Sequence, residues 1–537
     1  MTSDARKTEF FSCVIDGKAL KVRRGERLLE AARRGGIEIP GLCHHSSLSP
    51  CEACGLCQVE VRGYDGPQAA CSLVVETDLQ VRSRSPELDG VRRERIATLY
   101  RNHPAECPEC DLNGDCSIQG LYLSHGQQEP QEKSSNQSPI SAPIPLGPAV
   151  ALHLSRCVGC ELCVRFSAEI AGDQVLRMRE EAGVKSVGLV PGLSLNGNYS
   201  LNTVDLCPAG ALVSRELRAR TPAWARESKE TVCPGCATGC NAYLDFDRGR
   251  ALRLRPRRND EVNSSWMCDL GREESKQIGA DRLSQPMASG IEVDWSGAIV
   301  STSQILAPLR EAGLNRIGAA LSFDATCEEA WLLHRLMSEV FGQHQVAVLP
   351  RRAEGAADDF LLDADKHPNR LGVLLVLQDG VAPDPAAYFE SLDAVIVMDV
   401  DPSAEIHDEL QRRAYAGVKH RIVLSSRETS SVSDASVVLP MTSFAAKNGT
   451  WVNRQGRVQG LVSAVSVGAE FSRGRDALKL LTAIAGAMHV DWDEPSVPDL
   501  FAEISAQRPR FGGLAFDELG GRGMRLRKPD SAAGGPA

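Results

Sequence analysis

The sequence predicts small α+β domains rich in cysteine, followed by a larger α/β domain with a parallel sheet. Fifteen of the 18 cysteines fall into four spaced groups before residue 269. Two short strand-like runs and a helical one precede the first group. From about residue 290, apolar strand-like runs such as Leu371–Leu377 alternate with helical ones, one of which should begin with a capping box of Thr326 and Glu329. This alternation is typical of a parallel sheet covered by helices.

Composition narrows the possible classes of protein. The 537 residues carry a net charge of −10, which argues against nucleic acid as a partner, and their 42% hydrophobic content is ordinary for a globular protein. No run reaches the roughly 18 apolar residues of a membrane span, and no secretory signal is expected at the N-terminus. In a reducing compartment, clustered cysteines predict metal ligands rather than disulfides.

The first cysteine group follows a predicted hairpin at residues 10–22, which turns at Asp16-Gly17, and a predicted helix within residues 25–36. The spacing of the group suits a [2Fe-2S] cluster, although its first gap is longer than in plant-type ferredoxins. A four-thiolate zinc site is the alternative, and Cys51 could compete as a ligand. The predicted ligands are Cys43, Cys54, Cys57 and Cys71.

The second group follows a helix predicted over residues 86–101 and contains three cysteines, Cys107, Cys110 and Cys116. A [4Fe-4S] cluster needs a fourth ligand, for which His103 and Asp111 are the candidates. His103 stands just ahead of the first cysteine, with three residues between them. An imidazole ligand adds no negative charge, so we expect it to raise the reduction potential, as in Rieske centres.

The third group predicts one [4Fe-4S] cluster. A two-cluster ferredoxin would place its fourth cysteine four residues after the third, where this chain has Ser167. Cys207, which precedes a proline, is the remaining candidate. The predicted ligands are Cys157, Cys160, Cys163 and Cys207.

These motifs resemble the large iron–sulfur subunit of bacterial NADH:quinone oxidoreductase, respiratory complex I. The resemblance favours Cys54 and Cys57 over Cys51, and His103 over Asp111. The matching phrases are IDGK at 15–18, LLEAAR at 28–33, LSP and C-x-x-C within 48–57, H-P-x-x-C-P-x-C-D-x-x-G-x-C at 103–116, RCVGCELCVRF from 156, and LCPAGAL at 206–212.

The fourth group resembles the [4Fe-4S] domain of molybdopterin oxidoreductases, and residues 433–459 resemble a later segment of that family. Its members Cys233, Cys236, Cys240 and Cys268 are thereby implied to be cluster ligands, with a zinc ribbon or an empty site as alternatives. Molybdenum enzymes have a lysine where this chain has Leu270. Because the chain also ends soon after residue 500, we expect a truncated molybdopterin-oxidoreductase-like domain without molybdopterin.

The resemblance implies an electron-transfer subunit of an oxidoreductase, with no catalytic residues of its own. It implies one [2Fe-2S] and three [4Fe-4S] clusters. In the family, electrons arrive from an NADH- and FMN-binding subunit and leave toward quinone through other iron–sulfur subunits, and the fourth cluster lies off that path. The family lies peripherally on the cytoplasmic side of the bacterial inner membrane, held there by partner subunits.

Two other functions remain open. One is the iron–sulfur subunit of an NAD-linked formate dehydrogenase or hydrogenase, and the other is a zinc-stabilised scaffold. The predicted boundaries are a [2Fe-2S] domain at 1–88, a His- and Cys-ligated domain at 89–125, a linker at 126–148, a ferredoxin-like domain at 149–218, a fourth-cluster domain at 226–282, the α/β domain at 290–500, and a flexible tail at 508–537.

Overall fold

The computed structural model divides the chain into two compact units, residues 1–226 and 227–537. The other predicted domain boundaries before residue 500 stay predictions. The structure describes residues 10–104, 106–110, 112–125, 142–181, 184–216, 221–278, 282–313, 316–406, 408–463 and 474–528.

The first unit contains ten strands and five α-helices in its described residues. The strands are β1 (Phe10–Ile15), β2 (Lys18–Arg23), β3 (Gln58–Val61), β4 (Gln68–Ala69), β5 (Leu79–Arg82), β6 (Ile144–Pro145), β7 (Val150–Leu152), β8 (Leu176–Glu181), β9 (Val184–Leu189) and β10 (Leu212–Ser214). The helices are α1 (Leu28–Arg34), α2 (Pro86–Asn102), α3 (Ser117–His125), α4 (Leu162–Glu169) and α5 (Asn202–Leu206).

The N-terminal sheet has the strand order β2-β1-β5-β3-β4. Strands β1 and β2 form the predicted antiparallel hairpin, whose turn residues Asp16 and Gly17 both have positive φ. Helix α1 buries Leu28 and Leu29 against this sheet, as its apolar spacing predicts. The prediction of a small α+β domain before the first cysteine group is therefore confirmed.

Helix α2 delivers the chain to the second cysteine group. Its N-cap Ser85 accepts a hydrogen bond from the Leu88 amide, and Pro86 occupies the first turn, where a missing N–H costs nothing. The helix ends where His103 leaves the helical conformation. Of the predicted linker 126–148, residues 126–141 lie outside the described residues. Residues 142–148 are described, and there Leu146 is buried in the core around β7 and β10.

The second unit contains thirteen strands and ten α-helices in its described residues. The strands are β11 (Glu227–Val232), β12 (Asn241–Asp247), β13 (Arg250–Pro256), β14 (Met287–Ala288), β15 (Ile291–Glu292), β16 (Ile317–Ser322), β17 (Ala347–Leu349), β18 (Ala394–Met398), β19 (His420–Ser425), β20 (Val437–Pro440), β21 (Gly449–Val452), β22 (Arg457–Leu461) and β23 (Met524–Arg525). The helices are α6 (Asp269–Glu273), α7 (Trp295–Glu311), α8 (Cys327–Arg335), α9 (Arg370–Leu377), α10 (Pro385–Glu390), α11 (Pro402–Glu405), α12 (Glu409–Gly417), α13 (Ser430–Ser433), α14 (Ala477–Ala487) and α15 (Val497–Gln507).

The main sheet of this unit has the order β15-β14-β20-β19-β18-β16-β17, and its five strands from β20 to β17 are parallel. The α/β prediction is confirmed. Both faces are buried, since Ile396 belongs to one apolar core and Val395 and Val397 to another. The predicted capping box of Thr326 and Glu329 also forms, at the start of α8.

The prediction of a strand at the apolar run Leu371–Leu377 is wrong, because this run lies in helix α9. A short run of apolar residues cannot distinguish a strand from a buried helix by its periodicity. Val373, Val376 and Leu377 are buried, whereas Leu374 is 39% exposed. This is the pattern of a helix that packs on one side.

The predicted tail 508–537 is also wrong for its described part, and the α/β domain does not end at residue 500. Phe511 is fully buried in the main core together with Leu519 and Leu526, and strand β23 pairs with β22. The high Gly and Arg content of this stretch suggested a tail, because its three buried apolar residues are widely spaced in the sequence. Residues 529–537 lie outside the described residues. Within the ranges that the structure describes, no helix is both long and apolar enough to cross a membrane.

We expect Phe511→Ala to destabilise the second unit by about 3–5 kcal/mol, because it empties a buried site in the core. Calorimetry should show a lower melting temperature for the unit. The matched control is Phe360→Ala, whose ring is 38% exposed and whose loss should cost about 1 kcal/mol. Equal effects of the two changes would show that residues 508–528 do not stabilise the unit.

Candidate metal centres

The first site holds its four cysteines as two pairs. The Sγ atoms of Cys43 and Cys54 lie 3.4 Å apart, and Cys57 hydrogen-bonds to Cys71. Two thiolates on one tetrahedral metal, each about 2.3 Å from it, would lie about 3.8 Å apart. Backbone amides of Leu42 and Cys54 also point at these sulfurs. Two pairs fit two metal atoms, which is the arrangement a [2Fe-2S] cluster requires.

Cys51 lies beside this site rather than away from it. Its Sγ is 4.0 Å from the Cys43 carbonyl oxygen and 3.9 Å from that of Cys160. The hydrogen bond with Cys43 lowers the pKa of Cys51 to about 6, and the bond from Cys43 lowers the pKa of Cys54 to about 5. The choice of Cys54 over Cys51 stays a prediction, since both sulfurs lie near Cys43.

His103 in the second site has the environment of a metal ligand. It is 9% exposed, and its Nδ1 is buried without a hydrogen-bond partner among the described residues. The ring also hydrogen-bonds to the main chain of Arg156, and burial lowers the pKa of the imidazole. A neutral imidazole with one nitrogen held by a main-chain group and the other available is typical of metal-binding histidines. Asp111, the competing candidate, lies outside the described residues.

The cysteines of the second site come from two neighbouring elements. A short 3₁₀ turn begins at Cys107 and ends just before Cys110, and Cys116 lies directly before α3. Burial, and then the nearby Cys110 and Cys107, raise the pKa of Cys116. Tyr100 hydrogen-bonds to Cys107, and its ring stacks on Tyr122 with centroids 4.2 Å apart. These contacts orient the sulfurs from the helices on either side.

The third site is a cavity that all four predicted cysteines line, Cys207 included. Its walls beside the thiols are apolar, with Leu162, Met178 and Val187 among the lining residues, and about 350 Å³ is not filled by protein atoms. Backbone amides of Val187 and Leu212 point at the sulfurs of Cys157 and Cys207, each at 3.4 Å. An apolar cavity with four thiols suits a [4Fe-4S] cluster. The structure thus brings the distant Cys207 to its predicted partners.

The fourth site is the most enclosed, since none of its four cysteines is more than 4% exposed. Burial, and then the charge of neighbouring cysteines, raise the pKa of Cys233 and Cys240 well above that of a free thiol. Burial also raises the pKa of Cys268 to about 11. Without a metal these thiols would stay protonated, and a bound metal ion would stabilise the thiolate forms.

Glycine at position 271 lets two of these sulfurs approach the helix that follows them. A Cβ atom there would lie 2.9 Å from the Cys233 Sγ and 3.3 Å from the Cys268 Sγ. The Gly271 amide donates to the Cys268 Sγ over 3.3 Å. Leu270, which stands where molybdenum enzymes have a lysine, is 45% exposed.

The three cysteine sites of the first unit contact a common set of apolar residues. One apolar cluster around Leu42 and Ile118 includes Cys54, Cys116 and Cys207, which come from the first, second and third sites. The guanidinium of Arg165 donates to the carbonyl oxygens of Cys43 and Cys160. Sequence reasoning missed Arg165, Tyr100 and Arg156, because their roles depend on contacts between segments far apart in the chain.

Two of the unassigned cysteines are core residues. Cys13 is fully buried in the N-terminal core, and burial raises the pKa of its thiol to about 11. Cys327 is fully buried and lies 3.8 Å from Asn369 Oδ1.

Among the described residues, no three His, Cys, Asp or Glu side chains are arranged to hold a single metal ion.

Comparisons with known families identify three iron–sulfur domains. Residues 9–86 match the 2Fe-2S iron-sulfur cluster binding domain. Residues 147–213 match the ferredoxin-like domain of NADH-quinone oxidoreductase subunit 3, and residues 227–278 match the molybdopterin oxidoreductase Fe4S4 domain. The chain therefore carries iron–sulfur cluster domains, and these matches favour iron over the zinc alternative.

Among individual proteins, the chain is similar to a subunit of the NADH-quinone oxidoreductase of Streptomyces coelicolor, with 31% identity over 66% of this chain and 42% of that protein. It is 32% identical to the NADPH-Fe(3+) oxidoreductase subunit alpha of Geobacter sulfurreducens, over 62% of this chain and 39% of that protein. A solved chain of an NAD+-reducing [NiFe]-hydrogenase is 28% identical, with a TM-score of 0.33, over 40% of this chain and 90% of that one. The chain spans about two fifths of the length of the two curated relatives.

We expect Gly271→Ala to empty the fourth site, because the added methyl group would displace two sulfurs. Iron analysis of anaerobically purified protein should fall by about four atoms per chain, the content of one [4Fe-4S] cluster. Gly486→Ala is the matched control, since Gly486 is also helical and a Cβ there has open space. Full iron content in Gly271→Ala would show that the sulfurs can shift without losing the cluster.

We expect His103→Cys to lower the reduction potential of the second site, because a fourth thiolate adds negative charge next to the iron. An EPR-monitored redox titration measures this potential, and the signals of the other clusters in the same sample are the internal control. An unchanged potential with an intact cluster would indicate that His103 is not a ligand.

Proposed function

We propose that this chain is the large iron–sulfur, electron-transfer subunit of an NADH:quinone oxidoreductase. The observation that carries the proposal is the common apolar cluster that contains Cys54, Cys116 and Cys207, because one cysteine from each of three predicted ligand sets lies in it. The similarity to a subunit of the Streptomyces NADH-quinone oxidoreductase, and to the ferredoxin-like domain of that class of enzyme, supports the same function.

The proposed cofactors are one [2Fe-2S] and three [4Fe-4S] clusters, which when bound take up and release single electrons. The chain's own residues set the conditions for that exchange. Amides such as those of Val187 and Leu212 donate to cysteine sulfur, which favours the more negative, reduced state. The apolar wall of the third site limits the access of water to its thiols. His103 contributes a neutral ligand where the other sites have thiolates.

The proposed ligands are the sixteen side chains that the sequence predicted. They are Cys43, Cys54, Cys57 and Cys71 for the first site, His103, Cys107, Cys110 and Cys116 for the second, Cys157, Cys160, Cys163 and Cys207 for the third, and Cys233, Cys236, Cys240 and Cys268 for the fourth.

We further propose that an NADH- and FMN-binding subunit supplies the electrons and that quinone-side iron–sulfur subunits receive them. The chain would then lie peripherally on the cytoplasmic side of the inner membrane, held by its partners. A formate dehydrogenase subunit is less favoured, because Leu270 replaces the lysine that bridges cluster and pterin in the molybdenum enzymes. Because the chain is also similar to a subunit of a NADPH-Fe(3+) oxidoreductase, NADPH and ferric iron should be tested beside NADH and quinone.

The deciding experiment is anaerobic EPR of the dithionite-reduced chain, combined with metal analysis. The proposal expects one [2Fe-2S] signal, up to three [4Fe-4S] signals, and neither molybdenum nor tungsten. A colourless protein that contains zinc would overturn it, and molybdenum or tungsten would favour the formate dehydrogenase function. Reduction by NADH in the presence of the partner subunits, with quinone or ferric iron as acceptor, then separates the two NAD(P)H-linked functions.

The fourth site should matter more for stability than for electron flow. We expect Cys160→Ser to abolish NADH-dependent quinone reduction in the assembled complex, whereas Cys240→Ser lowers the melting temperature and leaves most of the turnover. The two serine variants are matched in chemistry and differ in the unit they affect. An equal loss of turnover in assembled complexes of both variants would place the fourth cluster on the electron path.

A further inference from the structure

Arg165 contacts the main chain of both the first and the third cysteine site. It belongs to helix α4, two residues after the third-site cysteine Cys163, and its guanidinium reaches the loop of the first site. Its Nη2 donates to the Cys43 carbonyl oxygen at 2.5 Å and to the Cys160 carbonyl oxygen at 3.5 Å. Because Cys43 and Cys160 are predicted ligands of different clusters, a single side chain lies against both sites.

Further contacts with the same helix fix the loop of the first site in this position. Arg165 Nη1 donates to the Ser49 carbonyl oxygen. One turn further along α4, the Oε2 atom of Glu169 accepts a hydrogen bond from the Ser49 amide at 2.8 Å. Both polar groups of the Ser49 main chain are therefore bonded to α4, which holds the guanidinium in place relative to the two sites.

The positive charge of Arg165 is not paired with a carboxylate. Its acceptors are carbonyl oxygens, and among the described residues no acid forms an ion pair with it, Glu161 and Glu169 on the same helix included. Its Nε is buried and has no hydrogen-bond partner there either. Arg156 beside the second site differs, because Glu106 pairs with it at 3.1 Å. Carbonyl groups orient a guanidinium without neutralising it, so its net charge remains at both sites.

Water screens this charge less than it screens the charge of a surface arginine, because Arg165 is only partly exposed. Its effect is felt at the thiol next to one of its contacts. Burial raises the pKa of the Cys160 thiol, and the charge of Arg165 opposes that rise. The side chain therefore favours negative charge at the sulfur of a predicted ligand.

We propose that the charge of Arg165 raises the reduction potentials of the first and the third clusters together. The inference rests on the iron–sulfur cofactors of the proposed function. A cluster gains one negative charge when it takes up an electron, so a fixed positive charge beside it favours the reduced state. Because Arg165 contacts both sites, both potentials shift in the same direction. The difference between them, which drives an electron from one cluster to the other, then changes less than either potential.

The test is an EPR-monitored redox titration of the full chain with its clusters. Arg165→Gln removes the charge, and we expect electron uptake to become about tenfold less favourable at both sites, a fall of about 59 mV for each one-electron couple. Arg165→Lys keeps the charge but loses the forked hydrogen bonds, and both potentials should stay close to those of the unaltered chain. The [2Fe-2S] signal reports the first site, and the [4Fe-4S] signal that is lost in Cys160→Ala reports the third.

Arg82→Gln is the matched control. It also removes one positive charge from the first unit, but the Arg82 side chain is 70% exposed and pairs with Glu60. We expect it to leave both potentials unchanged. Arg165→Met is a second uncharged variant of similar length, which serves if Arg165→Gln does not assemble. Iron content and the visible spectrum report whether each variant holds its clusters.

The proposal is wrong if both potentials are unchanged in a cluster-containing Arg165→Gln or Arg165→Met, or if only one of them falls. It is also wrong if Arg165→Lys lowers both potentials as much as the uncharged variants do. Loss of either cluster from all three variants would make Arg165 a structural contact and would overturn it as well. An unaltered chain that contains no iron would instead refute the proposed cofactors.

Discussion

The structure depends on bringing thiols together at sites that are buried or partly buried. Burial and mutual repulsion oppose the charged form, as the raised pKa values of Cys163, Cys233 and Cys240 show. Metal binding removes that penalty, because the thiolates then face positive charge. The surrounding fold contributes two further features. Positions such as Gly271 let the backbone approach the sulfurs closely, and backbone amides donate hydrogen bonds to sulfur.

The same constraint organises the first unit. The three cysteine groups there lie on separate sequence segments, yet one apolar cluster contains a cysteine from each. Arg165 donates to the carbonyl oxygens of Cys43 and Cys160, so it links the main chain of the first site to that of the third. This coupling provides a physical reason for a single compact unit instead of separate ferredoxin domains on linkers.

The N-terminal hairpin and the parallel sheet could be predicted from periodicity and turn residues, and the structure confirms both. The cysteine groups could be recognised because metal ligation demands fixed residue types at fixed spacings, and their roles as ligands stay predictions. Prediction from the sequence failed where tertiary packing decides. The run Leu371–Leu377 is apolar in either conformation, and only its contacts make it a helix. Phe511 lies in a stretch whose glycines and charges suggested a tail, yet it packs in the main core. Arg165 has no local signal, since its role arises from residues distant in sequence.

The fourth site differs from the others in how it is held. Its cysteine loop is hydrogen-bonded into the α/β domain, because the Ala237 amide donates to the Asp365 carbonyl and the Thr238 hydroxyl to the Leu361 carbonyl. Asn453 and Gln459 donate to the carbonyls of Thr238 and Gly239 from the other side. Loss of the metal would leave buried thiols without a partner in a loop that is hydrogen-bonded to the rest of the domain, so the cost would fall on the stability of that domain. We therefore expect the stability of the domain to depend on the fourth site whether or not its cluster lies on the electron path, so experiment can separate the two roles.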